Sequence, residues 1–215
     1  CTLILTEGDS AKSMALSGMS IIGRDNYGVF PLKGKILNVK DITNTKKLLE
    51  NTEISNIKKI IGLQANKVYS SIDDLRYGSI LVLTDQDEDG SHIKGLLFNL
   101  FESLWPSLFS KGGFIKSMLT PVIKIKKGNK EKQFYSVKDY DKWKEKNDSK
   151  GYSLKYYKGL GTSTPKEAKE YFKEMKIVNY TTNEDEDIKS LSMAFSKNDN
   201  SANERKLWLS SYLKE

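Results

Sequence analysis

Apolar runs and amphipathic segments alternate through the first 110 residues. Short apolar runs bounded by polar residues predict buried strands, and apolar positions at helical spacing predict helices. The predicted strands cover residues 3–6, 28–32 and 79–84, and the predicted helices cover residues 10–17, 45–51, 53–61 and 93–109. Asp9 or Ser10 is the predicted N-cap of the first helix. The alternation predicts an α/β fold in which helices flank a parallel sheet.

The pattern changes after the glycine pair at 112–113. Apolar and basic residues alternate at 122–126, a second such run covers 132–136, and the Gly-Asn dipeptide at 128–129 lies between them. This arrangement predicts a β-hairpin. Its lysines are interpreted either as DNA contacts or as protection of a sheet edge against aggregation.

The remainder of the chain combines one more strand with several helices. The predicted elements are a helix at 140–146, a strand at 152–157, a helix opened by Thr164, and two further helices in the last forty or so residues. Thr164 and Glu167 have the spacing of a capping box, and Pro165 occupies the first helical position. The predicted organisation is a domain at 1–175 with an inserted hairpin at about 119–137, and a helical extension at 176–215.

Composition narrows the classes of partner. The chain has 215 residues, 38% of them hydrophobic, and carries a net charge of +7 from 35 Lys and Arg against 28 Asp and Glu. Such a balance favours an anionic partner, either nucleic acid or an acidic membrane surface. No apolar run approaches the roughly 18–20 residues of a membrane-spanning helix. The single cysteine, Cys1, indicates a reducing compartment, and the absence of an initiator methionine leads us to expect a piece of a longer polypeptide.

Two acidic segments directly follow predicted strands. Residues 7–10 (EGDS) follow the first strand, and residues 85–92 (DQDEDGSH) follow the third. Clustered carboxylates are hard oxygen ligands that suit a divalent cation retaining part of its water shell. Strands that are neighbours lie about 4.8 Å apart, and ligands of such sheets bind at the carboxyl ends of the strands. If the two strands are neighbours, Glu7 and Asp85 therefore reach one point.

Other acidic motifs fit less well. A calcium-binding helix-loop-helix needs a bidentate Glu at the twelfth loop position, which here is Leu96, and a helix before the loop rather than a strand. A phosphatase with an aspartyl nucleophile would explain Asp85 and Asp87, but not the segment at 7–10 or the basic segment at Lys33. A solvated acidic loop remains the structural alternative.

Four segments resemble one known family. They are residues 7–11 (EGDSA), 31–39 (PLKGKILNV), 85–93 (DQDEDGSHI) and 156–164 (YYKGLGTST). Together, and in this order, they resemble the TOPRIM (Rossmann-like) region of type IIA DNA topoisomerases. Gln86 and residues 23–30 are similar to the eukaryotic type of the family. Lys33 stands where that type usually has Arg, which keeps the positive charge but loses bidentate phosphate geometry.

The resemblance implies a metal-dependent role in DNA cleavage and religation. It places Glu7, Asp85 and Asp87 as catalytic metal ligands and Asp89 as a further ligand that supports the cluster. Glu7 and Asp85 would hold the Mg²⁺ nearest the scissile phosphate, and Asp85 with Asp87 would hold a second ion. Mn²⁺ or Ca²⁺ would substitute in binding.

The resemblance also implies the partners. Lys33, Lys35 and Lys158 match positions close to the backbone of double-stranded DNA. His92 follows the acidic segment at a helix start, and it is interpreted as a DNA-binding residue that hydrogen-bonds backbone or phosphate rather than as a general acid. In the family the nucleophilic tyrosine lies in a downstream winged-helix domain, so Tyr156 and Tyr157 are interpreted as packing or backbone contacts.

The complete enzyme implied by the resemblance is an ATP-using nuclear homodimer with no membrane association. No nucleotide-binding signature is present in this chain, so ATP is expected only in the full-length protein and this chain alone should not cleave DNA. Two alternatives stay open, which are a TOPRIM-type metal-dependent nuclease or primase-like domain and a non-catalytic DNA-binding module.

The proposed phosphate contact of Lys35 can be tested by substitution. Replacing Lys35 by Ala should weaken DNA binding to the same extent on all sequences and lower the slope of the salt dependence by about 1, because a phosphate contact reads no bases. Titrations of several duplexes across a salt series measure both quantities. A loss confined to some sequences would contradict the phosphate role.

Overall fold

The computed structural model describes residues 1–212, with all side chains except those at positions 45, 49, 184, 199 and 212. The chain forms two compact units. The sheet unit comprises Cys1–Gly34, Ile80–His92 and Lys116–Val178, and the helical unit comprises Lys35–Ser79, Ile93–Ile115 and the residues from Asn179 onward. The predicted domain boundary at residue 175 stays a prediction.

Strands and helices alternate at first and helices dominate at the end. The strands are β1 Thr2–Glu7, β2 Tyr27–Leu32, β3 Ser79–Leu83, β4 Ile115–Met118, β5 Ile123–Lys127, β6 Lys130–Phe134, β7 Ser153–Tyr156 and β8 Ile177–Asn179. The helices are α1 Gly8–Ile22, α2 Thr45–Glu50, α3 Thr52–Ile61, α4 Glu88–Leu104, α5 Pro106–Phe109, α6 Val137–Lys146, α7 Pro165–Glu174, α8 Glu184–Phe195 and α9 Asp199–Tyr212, and a 3-10 turn covers Leu160–Thr162.

A five-stranded sheet with strand order β2-β1-β3-β4-β8 forms the centre of the sheet unit. β1 runs parallel to β2, with Thr2 opposite Tyr27 and Glu7 opposite Leu32. All five residues of β3 are buried, as expected for a strand covered on both faces. The predicted α/β class is therefore confirmed, and so is the predicted proximity of β1 and β3, which are hydrogen-bonded neighbours.

Helix α1 packs closely against α7. Gly18 of α1 faces the ring of Phe172, and a Cβ at this position would overlap the ring atoms. At the start of α7, Thr164 and Glu167 form the predicted capping box, with Pro165 in the first turn. The predicted cap of α1 is wrong, because the helix begins at Gly8 and its N-cap is Glu7, which makes no capping hydrogen bond through its side chain.

The predicted hairpin is present and belongs to a second sheet with strand order β6-β5-β7. β5 pairs antiparallel with both of its neighbours, with Lys127 opposite Lys130 across the turn. The edge-protection interpretation is wrong for β5, because it is the central strand and Lys124 forms an ion pair of 2.7 Å with Glu131.

The helix predicted at 93–109 differs from the structure at both ends. α4 begins earlier, at Glu88, and ends at Leu104. Pro106 then opens the short α5, because proline lacks the amide hydrogen that would continue the helix and restricts the residue before it. Trp105, between the two helices, is buried, and its indole N–H donates to the Gln64 carbonyl at 2.9 Å.

The sequence pattern missed β4 and β8, which are short. In the helical unit, loop and helix residues are joined across long stretches of chain. The Asn38 amide donates to the Phe195 carbonyl at 2.8 Å, and Asp41 accepts a hydrogen bond from the Ser196 hydroxyl at 2.8 Å. Within residues 1–212, no helix is both long enough and apolar enough to cross a membrane.

The contact between α1 and α7 gives a stability prediction. Gly18→Ala should lower the free energy of unfolding by about 1–3 kcal/mol, because the added methyl group overpacks the Phe172 ring. This direction opposes helix propensity, which favours Ala over Gly by about 1 kcal/mol. Urea unfolding followed by circular dichroism measures the change. Combining Gly18→Ala with Phe172→Leu should restore part of the loss, whereas an unchanged or higher stability of Gly18→Ala alone would contradict the packing.

Candidate metal centre

The two acidic segments meet because β1 and β3 are neighbours in the sheet. Glu7 is the last residue of β1, and Asp85 follows β3 after Thr84. The backbone N–H of Asp85 donates a hydrogen bond to the Glu7 carboxylate. The predicted approach of the two strand ends is therefore present in the structure.

The Glu7 carboxylate lies in an unfavourable environment for a negative charge. Burial raises its pKa above the ordinary value, and the charges of Asp85, Asp87 and Asp89 raise it further. The hydrogen bond from the Asp85 N–H opposes these effects only in part. One oxygen, Oε2 of Glu7, is buried and has no hydrogen-bond partner among the described residues. A buried carboxylate oxygen of this kind needs a proton or a cation to compensate it.

Asp85 is held by the segment that follows β7. The backbone N–H of Leu160 donates to Oδ1 of Asp85 at 2.7 Å. The Gly159 backbone also approaches this carboxylate so closely that a Cβ there would lie 2.6 Å from Oδ2. Only glycine leaves the required space. The sequence resemblance included this segment for Lys158 but did not identify Gly159 and Leu160 as partners of Asp85, and their glycine-rich turn after a strand was the available signal.

Asp87 and Asp89 belong to the start of α4 rather than to a long loop. Oδ1 of Asp87 accepts the Gly90 N–H at 2.8 Å, as a helix-capping residue does. Asp89 lies in the first helical turn and acts on Glu7 through its charge. Both side chains are exposed, so they face solvent near the buried Glu7 oxygen.

The carboxylates at this site suit a cation that keeps part of its water shell better than one coordinated entirely by protein side chains. In the part of the chain that the structure describes, no three His, Cys, Asp or Glu side chains are arranged as a ready-made metal site. The charges of Asp85, Asp87 and Asp89 nevertheless act on Glu7, and its Oε2 has no hydrogen-bond partner within residues 1–212. Mg²⁺ keeps several of its waters and needs only one or two direct carboxylates. The residues present therefore fit Mg²⁺.

The candidate DNA-contacting residues are exposed. Lys33 directly follows β2, and His92 lies on α4. Lys158 is exposed between two buried residues, Tyr157 and Leu160. These three candidates belong to the sheet unit, as do the acidic residues. Lys35 is also exposed but belongs to the helical unit.

Comparison with known families accounts for the whole chain. Residues 2–118 match the Toprim domain, and residues 118–215 match the C-terminal associated domain of TOPRIM. DNA topoisomerase 2 of Plasmodium falciparum is 50% identical over 216 residues, which cover 99% of this chain and 15% of that protein. DNA topoisomerase 2-beta of Homo sapiens is 51% identical over 223 residues, covering 100% of this chain and 13% of that protein. This chain thus spans about a seventh of the length of these relatives.

A solved structure shows the same fold. The crystal structure of the Plasmodium falciparum topoisomerase II DNA-binding, cleavage and re-ligation domain superposes with a TM-score of 0.91 at 50% sequence identity. The match covers 97% of this chain and 29% of that chain. The similarity therefore extends over both units described above.

The environment of Glu7 yields a prediction for the metal-free chain. Glu7→Gln should raise the melting temperature in EDTA at neutral pH by about 1–2 °C, because it removes a repelled negative charge while keeping an oxygen that accepts the Asp85 N–H. Thermal unfolding followed by circular dichroism measures the shift.

The matched control is Asp9→Asn, which removes the same charge two residues further along, in the first turn of α1. It should leave the melting temperature unchanged or lower it, because an acid in the first turn favours the helix dipole. A lower melting temperature for Glu7→Gln would show that its charge is compensated within the chain.

Proposed function

Because the chain belongs to the Toprim domain family, we propose that it is the metal-binding part of the DNA cleavage and religation centre of a type IIA DNA topoisomerase of the eukaryotic type. The family resemblance inferred from the four sequence segments is confirmed. The observation that carries the functional proposal is the meeting of Glu7 and Asp85 at adjacent strand ends, where one buried carboxylate oxygen has no hydrogen-bond partner in the described part of the chain.

In this proposal Glu7, Asp85 and Asp87 hold Mg²⁺, and Asp89 adds negative charge to the cluster. Bound Mg²⁺ stabilises charge that develops on the scissile phosphate and on the leaving sugar oxygen. The Leu160 N–H fixes one oxygen of Asp85 and leaves the carboxylate oriented. Asp87 is likewise fixed by the Gly90 N–H. These hydrogen bonds hold the ligands in place before the ion arrives.

The basic residues bind the DNA backbone in this proposal. Lys33, Lys35 and Lys158 are exposed and neutralise phosphates, and His92 donates a hydrogen bond to a phosphate oxygen. The net charge of +7 attracts any DNA duplex. Contacts of this kind hold the strand in register without reading its sequence.

The nucleophilic tyrosine comes from another part of the parent enzyme in this proposal. Tyr157 is a poor nucleophile, because burial and its hydrogen bond to Glu167 raise the pKa of its phenol. By the same resemblance, the parent enzyme acts as an ATP-using homodimer in the nucleus. This chain alone is then expected to bind Mg²⁺ and DNA without cutting DNA.

A metal titration tests the proposal. Isothermal titration of Mn²⁺ or Mg²⁺ into the 215-residue chain should give a saturable heat. Asp85→Ala should abolish this heat or weaken the affinity by about a hundredfold, since it removes a proposed direct ligand of the ion. Glu88→Gln is the matched control, because it removes one charge from the same acidic segment without removing a proposed ligand.

The outcomes separate the proposal from its alternatives. Saturable heat that is lost in Asp85→Ala and kept in Glu88→Gln supports the metal centre. Equal losses in both variants would indicate diffuse attraction to acidic residues, and no heat in the unmodified chain would remove the metal-binding function. Metal-dependent nicking of DNA by this chain alone would favour a nuclease.

A further inference from the structure

One carboxylate closes the segment that contacts Asp85. The Tyr157 hydroxyl donates to Oε1 of Glu167 at 2.6 Å, and the Thr164 backbone N–H donates to Oε2 of the same residue at 2.8 Å. Tyr157 immediately precedes residues 158–163, and Thr164 immediately follows them. Glu167 therefore ties both ends of this segment to a single point on α7.

Glu167 is ionised and well supported. The Lys155 ammonium lies 3.0 Å from each of its two oxygens, and Lys124 lies at 4.0 Å. Burial alone would raise the pKa of Glu167, but the hydrogen bonds from Tyr157, Thr164 and Lys155 outweigh it and hold the pKa at about 2. The carboxylate thus keeps its charge, and its bonds are charge-assisted and strong.

The segment between the two ends carries the contacts to the metal centre. The Leu160 N–H donates to Asp85 at 2.7 Å, and Gly159 packs directly against the same carboxylate. The Leu160 side chain is buried in the hydrophobic core that also contains Leu83 of β3 and Phe172 of α7. Lys158 is exposed beside them. A displacement of either end of the segment would therefore move the partner of Asp85.

We propose that Glu167 is a positioning residue of the metal centre, which holds residues 158–163 so that the Leu160 N–H orients Asp85. This inference rests on the proposed function, since it takes Asp85 to be a metal ligand. Glu167 lies outside the acidic segments and acts on the ion only through Leu160 and Asp85. Second-layer contacts of this type commonly change metal affinity about tenfold to a hundredfold.

A purely structural role must be distinguished from positioning. Glu167 is also part of the capping box of α7, so its loss can weaken that helix. Weakening of α7 alone would show at the Ala168 amide, which donates to the Thr164 carbonyl at 2.9 Å. Positioning would show at the Leu160 amide and in the affinity for the ion.

The experiment compares Glu167→Gln with the unmodified 215-residue chain. Gln has the same length but lacks the charge and one acceptor oxygen. It therefore cannot accept hydrogen bonds equally well from Tyr157 and from Thr164. We expect the Mn²⁺ affinity from isothermal titration to fall about tenfold, and the hydrogen exchange of the Leu160 amide by NMR to quicken about tenfold, while exchange of the β3 amides stays unchanged.

Two further variants sharpen the comparison. Glu170→Gln removes an equal charge from the exposed face of the same helix, and we expect it to change neither measurement. Tyr157→Phe releases only one end of the segment and should shift both quantities in the same direction by a smaller factor, about threefold. It also supplies the test if Glu167→Gln does not fold. The double variant Tyr157→Phe with Glu167→Gln should be no worse than Glu167→Gln alone.

The results discriminate between this inference and the proposed function. If the unmodified chain binds Mn²⁺ and Glu167→Gln binds it equally well, or if only the Ala168 amide exchanges faster, the positioning role is wrong and the proposed function stands. If the unmodified chain does not bind Mn²⁺, the proposed function and the positioning role both fail. Parallel changes at Leu160 and in Mn²⁺ affinity, absent from Glu170→Gln, support the inference.

Discussion

The repulsion among carboxylates at the ends of β1 and β3 is the constraint on which the site depends. The sheet order fixes Glu7 beside Asp85, and a helix begins directly after β1, at Gly8, and shortly after β3, at Glu88. Helix N-termini favour negative charge, so α1 and α4 offset part of the repulsion. The backbone N–H groups of Asp85 and Leu160 offset more of it. The residual cost falls on Glu7, whose pKa is raised and one of whose oxygens is buried without a hydrogen-bond partner among the described residues.

The distribution of charge explains how an acidic site can serve a DNA-binding protein. The chain as a whole is positively charged and attracts a polyanion, while the immediate surroundings of Glu7 repel phosphate. Under the proposed function, a cation at the acidic cluster reverses the local sign. Binding of the cation and close approach of the DNA backbone then favour each other, because the positive charge of the ion and the negative charge of the phosphates compensate each other. Before the cation binds, exposed lysines such as Lys33 and Lys158 contribute to the attraction of the DNA backbone.

The sequence was sufficient for the parts of the fold that rest on local pattern. The strands that carry Glu7 and Asp85, the hairpin and the Thr164 capping box all follow from periodicity and turn residues. The start of α4 was misplaced because its first turn is acidic and polar, which resembles a loop. β4 and β8 were missed because their pairing is supplied by distant strands. The contact between Leu160 and Asp85 joins residues 75 apart in sequence, and no local pattern encodes it.

The hydrogen bonds that close the segment 158–163 determine which neighbouring part of the chain can vary in length within the family. Lys155, Tyr157, Thr164 and Glu167 are near neighbours along the chain, and none of the hydrogen bonds among them involves a residue of α6. Insertions or deletions between β6 and β7 can therefore accumulate during evolution without disturbing the residues beside Asp85. Homologues with very different lengths in this region should still share the arrangement of residues around Asp85, and the region is a suitable place to graft a tag or a fluorescent reporter.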